Sequence, residues 1–161
     1  LKPLCVIPCG RKKIWDHVPE KGPSFAKDAY IGVFHRLCQS YASRFFHDWV
    51  ILSAKHGFLL PNDIVPENYD ASFSMDKREI ISNSLLRQQK SYKELNQFNQ
   101  IVVLGGKKYQ PIINEVFREH DLIEFPLTGT RGIGEMQHRL KTSLLNNQPI
   151  HTTIIDERKD Q

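Results

Sequence analysis

Four short stretches of this chain bring glycine together with basic or nucleophilic side chains: PCGRKK at 8–13, SAKHG at 53–57, GGKKY at 105–109 and PLTGTRGIGE at 126–135. In SAKHG the chemically able groups are Ser53, Lys55 and His56. Lys55 can bind an anion, and His56 can exchange a proton near neutral pH or make a polar contact. The structural alternative is that Gly57 supplies a positive φ to end a strand, with Lys55 solvated and His56 satisfied inside the fold. In PCGRKK, Cys9 stands beside Arg11, Lys12 and Lys13. Nearby cations lower a thiol's pKa, so a nucleophilic Cys9 facing His56 is one reading, and a small buried cysteine is the other. In PLTGTRGIGE, Gly129, Gly132 and Gly134 would let backbone amides approach an anion at a helix N-terminus. Its spacing matches neither a dinucleotide-binding fingerprint nor a Walker loop. Gly105, Gly106 and Tyr109 are the candidate ligand contacts of GGKKY.

A hydrolytic site also needs a carboxylate. Asp70, in VPENYDASF at 65–73, is the first choice; Asp28, in KDAY at 27–30, is the second and Glu67 the third. Each has a plain alternative as a turn residue or helix cap. The loop that carries Asp70 is long for a compact domain, and such loops are often functional.

Periodicity indicates what would position these groups. Apolar runs at 3–8 (PLCVIP), 49–52 (WVIL), 100–106 (QIVVLGG) and 122–125 (LIEF) read as four buried strands. Ala26, Tyr30, Val33, Leu37, Tyr41 and Phe45 recur at helical spacing, with Ser24 as a candidate cap. A polar helix follows Met75, with Ile80, Ile81, Leu85 and Leu86 inward. Tyr109, Ile112, Ile113, Val116 and Phe117 mark another helix. The last helix carries Ile133, Met136 or Gln137, Leu140 and Leu144, and HTTII at 151–155 reads as a short edge strand.

Strand–helix alternation predicts a three-layer α/β/α sandwich around a mostly parallel four- to five-stranded sheet, with strand order 2-1-3-4. All parallel strands end on the same edge, and open sheets bind ligands outside that edge, where strand order reverses. Each of the four stretches follows one of the four strands. The opposite-edge connections carry no comparable cluster. The expectation is therefore one pocket built from loops far apart in the chain.

The 161 residues are expected to form a single domain over 1–161, with a loosely ordered tail from about 156. The net charge of +4 permits an anionic partner. No apolar run approaches the roughly 20 residues that cross a bilayer, so no membrane association is expected. Three cysteines without paired spacing, and no visible secretory signal, suggest a reduced, cytoplasmic setting. Cys5 and Cys9 on one extended segment would be about 13 Å apart, too far to chelate one ion, and neither a metal nor a cofactor is expected.

Together these motifs resemble an uncharacterised bacterial family of unknown function, over roughly Leu4 to Leu140. ILSAKHGFLLP and GIG are its most specific parts. The shared positions are Cys9, Lys12 or Lys13, Asp28, Tyr30, Ser53, Lys55, His56, Gly57, Tyr69, Asp70, Gly105, Tyr109, Gly129, Ile133 and Gly134. More distantly the pattern is similar to uracil-DNA-glycosylase-like and YaaA-type α/β sandwiches. This chain departs from those glycosylases in two places. PCGRKK stands where they carry an Asp-Pro-Tyr loop, and no His-Pro-Ser loop follows the last strand. The resemblance implies a protein that acts on or binds a nucleobase, nucleotide or nucleic acid, with N-glycosidic hydrolysis favoured. On this reading Lys12, Lys13, Lys107 and Lys108 neutralise phosphates, Tyr30, Tyr69 or Tyr109 stacks a base, and Asp70 orients water while His56 stabilises the leaving group. A non-catalytic nucleotide- or phosphate-binding module and a Cys9–His56 hydrolase or transferase are the alternatives.

Overall fold

Side-chain alternation along the central strand sorts the core into two faces. The computed structural model describes residues 2–120 and 122–153. Its first strand, β1 (Pro3–Pro8), sends Cys5 and Ile7 to one side and Leu4 and Val6 to the other. That is the period-2 geometry of a strand buried on both faces. There follow β2 (Ser24–Phe25), α1 (Ala26–Ala29), α2 (Val33–Phe45), β3 (Asp48–Ser53), β4 (Gly57–Leu59), β5 (Ile64–Val65) and α3 (Asn83–Tyr92). Then come β6 (Gln100–Val103), α4 (Gln110–Val116), β7 (Leu122–Glu124) and α5 (Ile133–Asn146).

The main sheet has five strands in the order β4-β3-β1-β6-β7. Its four parallel members follow the expected 2-1-3-4 order. Val6 of β1 pairs with Val50 of β3 and Val103 of β6, and Ile101 of β6 pairs with Ile123 of β7. The fifth strand is an addition. The apolar run after SAKHG turns back as β4 and pairs antiparallel with β3, Ser53 opposite Gly57 and Ile51 opposite Leu59. Gly57 has φ 76°, the left-handed backbone that closes such a hairpin.

Helices cover both faces, which makes the expected three-layer sandwich. Cys38, Tyr41 and Ala42 of α2 and Leu140 of α5 pack with Cys5, Ile7, Ile51 and Val102. Leu86 of α3 and Ile113 and Val116 of α4 pack with Leu4, Val6, Val50, Leu52, Ile101 and Val103.

Several local expectations are corrected. The helix read from Ala26 to Phe45 is broken at Tyr30–Gly32, because backbone there pairs elsewhere. Ile31 N donates to Lys12 O at 3.1 Å, and Tyr30 forms an isolated antiparallel bridge with Lys13. Ser24 caps nothing; it pairs with Val65 in the two-stranded β2–β5 ribbon. The polar helix starts late, since Ile81 N donates to Ala54 O at 2.8 Å and Ser82 caps α3 by accepting from Leu85 N at 3.1 Å. Leu86 is buried but Leu85 is exposed. The segment 151–153 forms no strand, and the rest of HTTII and the tail lie outside the described residues.

Candidate functional site

From β1 the chain crosses through α2 to β3 on one side, and later returns to β6 on the other. The reversal of strand order therefore falls between β1 and β6, and the loops leaving their C-terminal ends must diverge there. Two cavities open at this point, of about 450 and 610 Å³. They share Cys9, Gly10, Arg11, Lys108 and Tyr109, all contributed by those two loops. The first adds Lys13, Asp70 and the loop around Phe73 and Met75. The second adds Lys12, Gly106 and Lys107, together with Val33, Phe34 and His35 of α2 and Ile133 and Met136 of α5.

Backbone geometry decides which lysine serves which cavity. Lys13 is extended, with φ −129° and ψ 160°, so neighbouring side chains face opposite ways. Lys12 is exposed and lines the second cavity, whereas Lys13 is 4% exposed and lines the first. Lys13 Nζ donates to Arg11 O at 3.1 Å and lies 4.4 Å from the centre of the Tyr69 ring. Burial pulls its pKa down, and the Cys9 thiol and the carboxylates of Asp16 and Asp70 work against that shift. Among the described residues it makes no ion pair.

Behind the first cavity, Tyr69 joins the loops. Its hydroxyl is hydrogen-bonded to Ser53 Oγ at 2.8 Å and to the Tyr30 hydroxyl. Ser53 Oγ also accepts from the amides of Lys55 at 3.2 Å and His56 at 3.0 Å, and so shapes the SAKHG turn. The His56 ring meets Tyr69 edge-on at 4.9 Å, and Lys55 Nζ lies 5.7 Å from the same ring. Burial, then the neighbouring Cys9, pushes the Tyr69 phenol up to about 12, so the hydroxyl remains protonated near neutral pH. Burial likewise raises the Cys9 thiol, more than the Ala54 amide, Lys13 and Lys108 lower it. His56 is held low, first by burial and then by Lys55 and Lys93.

Cys9, Lys13, Asp70 and Tyr109 meet at the first cavity, and Lys12, Gly106, Cys9 and Tyr109 at the second. Tyr30, Ser53 and Tyr69 lie beneath as a buried network. His56 and Lys55 stand behind Tyr69 and line neither cavity. Asp28 is exposed on α1, and Glu67 is exposed too. Gly129, Gly132 and Gly134 line neither cavity, although their loop delivers Ile133. Gly105 is buried, and a Cβ there would lie 2.7 Å from the Tyr109 ring, so glycine lets that ring close over the end of β6.

Phe73, Val33, Phe34 and His35 line the cavities but are not among the candidate site residues read from sequence, where Val33 counts only as part of a helix. Phe73 has a visible signal, an isolated aromatic in a polar loop, and it packs edge-on against Tyr109 at 5.6 Å. His35 has none, because its helical spacing looks like core. It contacts Pro8 O through Nδ1 at 2.8 Å and fixes α2 against the end of β1.

Fold and site together define a three-layer α/β domain with a cation-lined double cleft at its topological switch point. The chain belongs to a family of unknown function, DUF6884, whose model matches residues 4–142. It is 48% identical over 144 residues to the uncharacterized protein YfjM of Bacillus subtilis (strain 168), a match covering 89% of this chain and 96% of that one. No solved structure matches. Among the described residues, no helix is long and apolar enough to cross a membrane.

Proposed function

We propose that the first cavity hydrolyses the N-glycosidic bond of a nucleotide. One observation carries this reading: a carboxylate, Asp70, and a buried ammonium, Lys13, line the same cavity of about 450 Å³ as the Phe73–Tyr109 aromatic pair. The volume is that of a small-molecule site. The aromatic pair offers a face for a base, and Arg11 and Lys108 offer charge for a phosphate.

In this mechanism a water oxygen bonds to C1′ of the sugar as the bond from C1′ to the base nitrogen breaks. Asp70 takes a proton from that water. Lys13, whose ammonium burial has made more acidic, gives a proton to the departing base. Bulk solvent then returns a proton to Lys13 and removes one from Asp70. His56 acts from behind by holding Tyr69, rather than by touching the base. A Cys9–His56 nucleophile is not favoured, because burial keeps the thiol protonated and the His56 ring faces Tyr69.

Incubation with nucleotides and modified-base oligonucleotides is expected to release free base, detected by chromatography, and Asp70→Asn is expected to abolish it. Thermal stabilisation by nucleotides without any base release would favour the binding-module reading instead. That second reading has its own support: the lining of the larger cavity includes Arg11, Lys12, Lys107 and Lys108 but, among the described residues, no carboxylate.

A further inference from the structure

We infer that the ligand is a single strand of nucleic acid spanning both cavities, with one nucleotide in each and the linking phosphate on their common wall. The inference rests on the proposed nucleotide chemistry of the first cavity and names its substrate class.

The two cavities have about 450 and 610 Å³, so each suits one nucleotide-sized group and neither suits a folded polymer. Their common wall carries Arg11 and Lys108, the natural partners of a phosphate that must lie between two successive sugars. Beyond that wall the net positive charge continues in one direction only. The second cavity adds Lys12 and Lys107 with no carboxylate among the described residues, whereas in the first Asp70 offsets Lys13. A free mononucleotide seated in the first cavity would leave this second set of cations unused.

The second cavity also has an apolar floor. Val33 is 61% exposed and Ile133 is 56% exposed, and Phe34 and Met136 lie beside them. Bare apolar side chains framed by lysines suit a base whose face has been unstacked, which single strands provide and duplexes do not. Among the described residues Gln137 is the one side-chain amide in this lining, and apolar faces framed by cations suit stacking and phosphate contact, which tolerate sequence.

The test compares a deoxymononucleotide 5′-phosphate, a mixed-sequence DNA pentamer and a 12-base-pair duplex, by calorimetry or anisotropy across a salt series. The pentamer is expected to bind at least tenfold more tightly than the mononucleotide. Its affinity should fall with salt along a log–log slope steeper than about −1.4, the value for two neutralised phosphates on a single strand. The double variant Val33→Glu, Ile133→Glu adds carboxylates to the second cavity. Both residues open helices and are exposed, and acidic residues in a first turn suit a helix, so the fold is expected to hold. This variant should cut the pentamer's advantage over the mononucleotide at least fivefold. Three results would overturn the inference and leave the nucleotide reading standing: equal pentamer and mononucleotide affinities, tighter binding of the duplex, or an unchanged ratio in the double variant. If none of the three ligands binds at low salt, the inference and the nucleotide reading both fall.

Discussion

Lys13 is held in a place that a lysine occupies only at a cost. It is 4% exposed, its ammonium meets a single carbonyl and an aromatic face, and no carboxylate pairs with it among the described residues. Burying a charge without a counter-ion destabilises a fold. Methionine would keep the stem and remove the charge. Lys13→Met is therefore expected to melt at the same temperature as the parent or higher, while base release falls about 100-fold or more, the usual contribution of a positioned acid. Thermal scans and turnover assays read the two effects separately; lower stability with unchanged turnover would make Lys13 purely structural. Ser53 is the opposite case. Its hydroxyl serves Tyr69 and the amides of Lys55 and His56, and it is fully buried. Ser53→Ala strands those partners and should lower unfolding free energy by about 1–3 kcal/mol in denaturant titration. Of these two roles, only the basic character of PCGRKK was legible in sequence. Which lysine would be buried depends on the extended backbone at Lys13, which no local pattern announces.

At the scale of elements, the sharpest constraint is the β3–β4 hairpin. Gly57 takes φ 76°, and a Cβ there would run into the Gln89 amide, lying 2.7 Å from its Cδ. That amide is already engaged, accepting from Phe58 N at 2.8 Å and donating to His56 O at 2.8 Å. Gly57→Ala thus strains the backbone and displaces the clamp between α3 and the hairpin. The expected loss is about 1–3 kcal/mol from the backbone alone. A variant as stable as the parent in the same titration would contradict this account of the turn. The four parallel strands were legible because each is a short apolar run bounded by turn residues. Strand β4 and the break between α1 and α2 were not. GFL is too short to show a period, and the break at Tyr30–Gly32 arises from pairing with Lys12 and Lys13, a contact distant in sequence.

For the molecule as a whole, three histidines tie stability to pH. Burial lowers His35, His56 and His151 below the ordinary 6.5. His151 Nδ1 is paired with the Tyr41 hydroxyl, whose oxygen accepts from Ile150 N at 2.9 Å and from His151 N at 3.3 Å and so has its one proton to donate to Nδ1. Below pH 6.5 the unfolded chain takes up protons that the folded chain refuses, so stability is complete above that value and falls as pH drops toward the folded-state pKa values. Thermal midpoints should be level between pH 7 and 8 and decline steadily from 6.5 to 5; a flat or rising profile would contradict the burial of these rings.

The gathering of distant loops at one edge was legible in sequence, because each follows a strand and parallel strands end together. Their unequal shares were not. The reversal between β1 and β6 favours Cys9–Lys13 and Lys107–Tyr109, and moves SAKHG and GTRGIG to the flanks. The most direct test of this placement is a nitrogen-resolved NMR titration with a deoxynucleotide 5′-phosphate. Amide shifts are expected at Gly10, Arg11, the stretch from Asp70 to Met75, Lys108 and Tyr109. Shifts centred instead on the cavity by Arg139 and Ile150, or none at millimolar nucleotide, would contradict the assignment of the cleft.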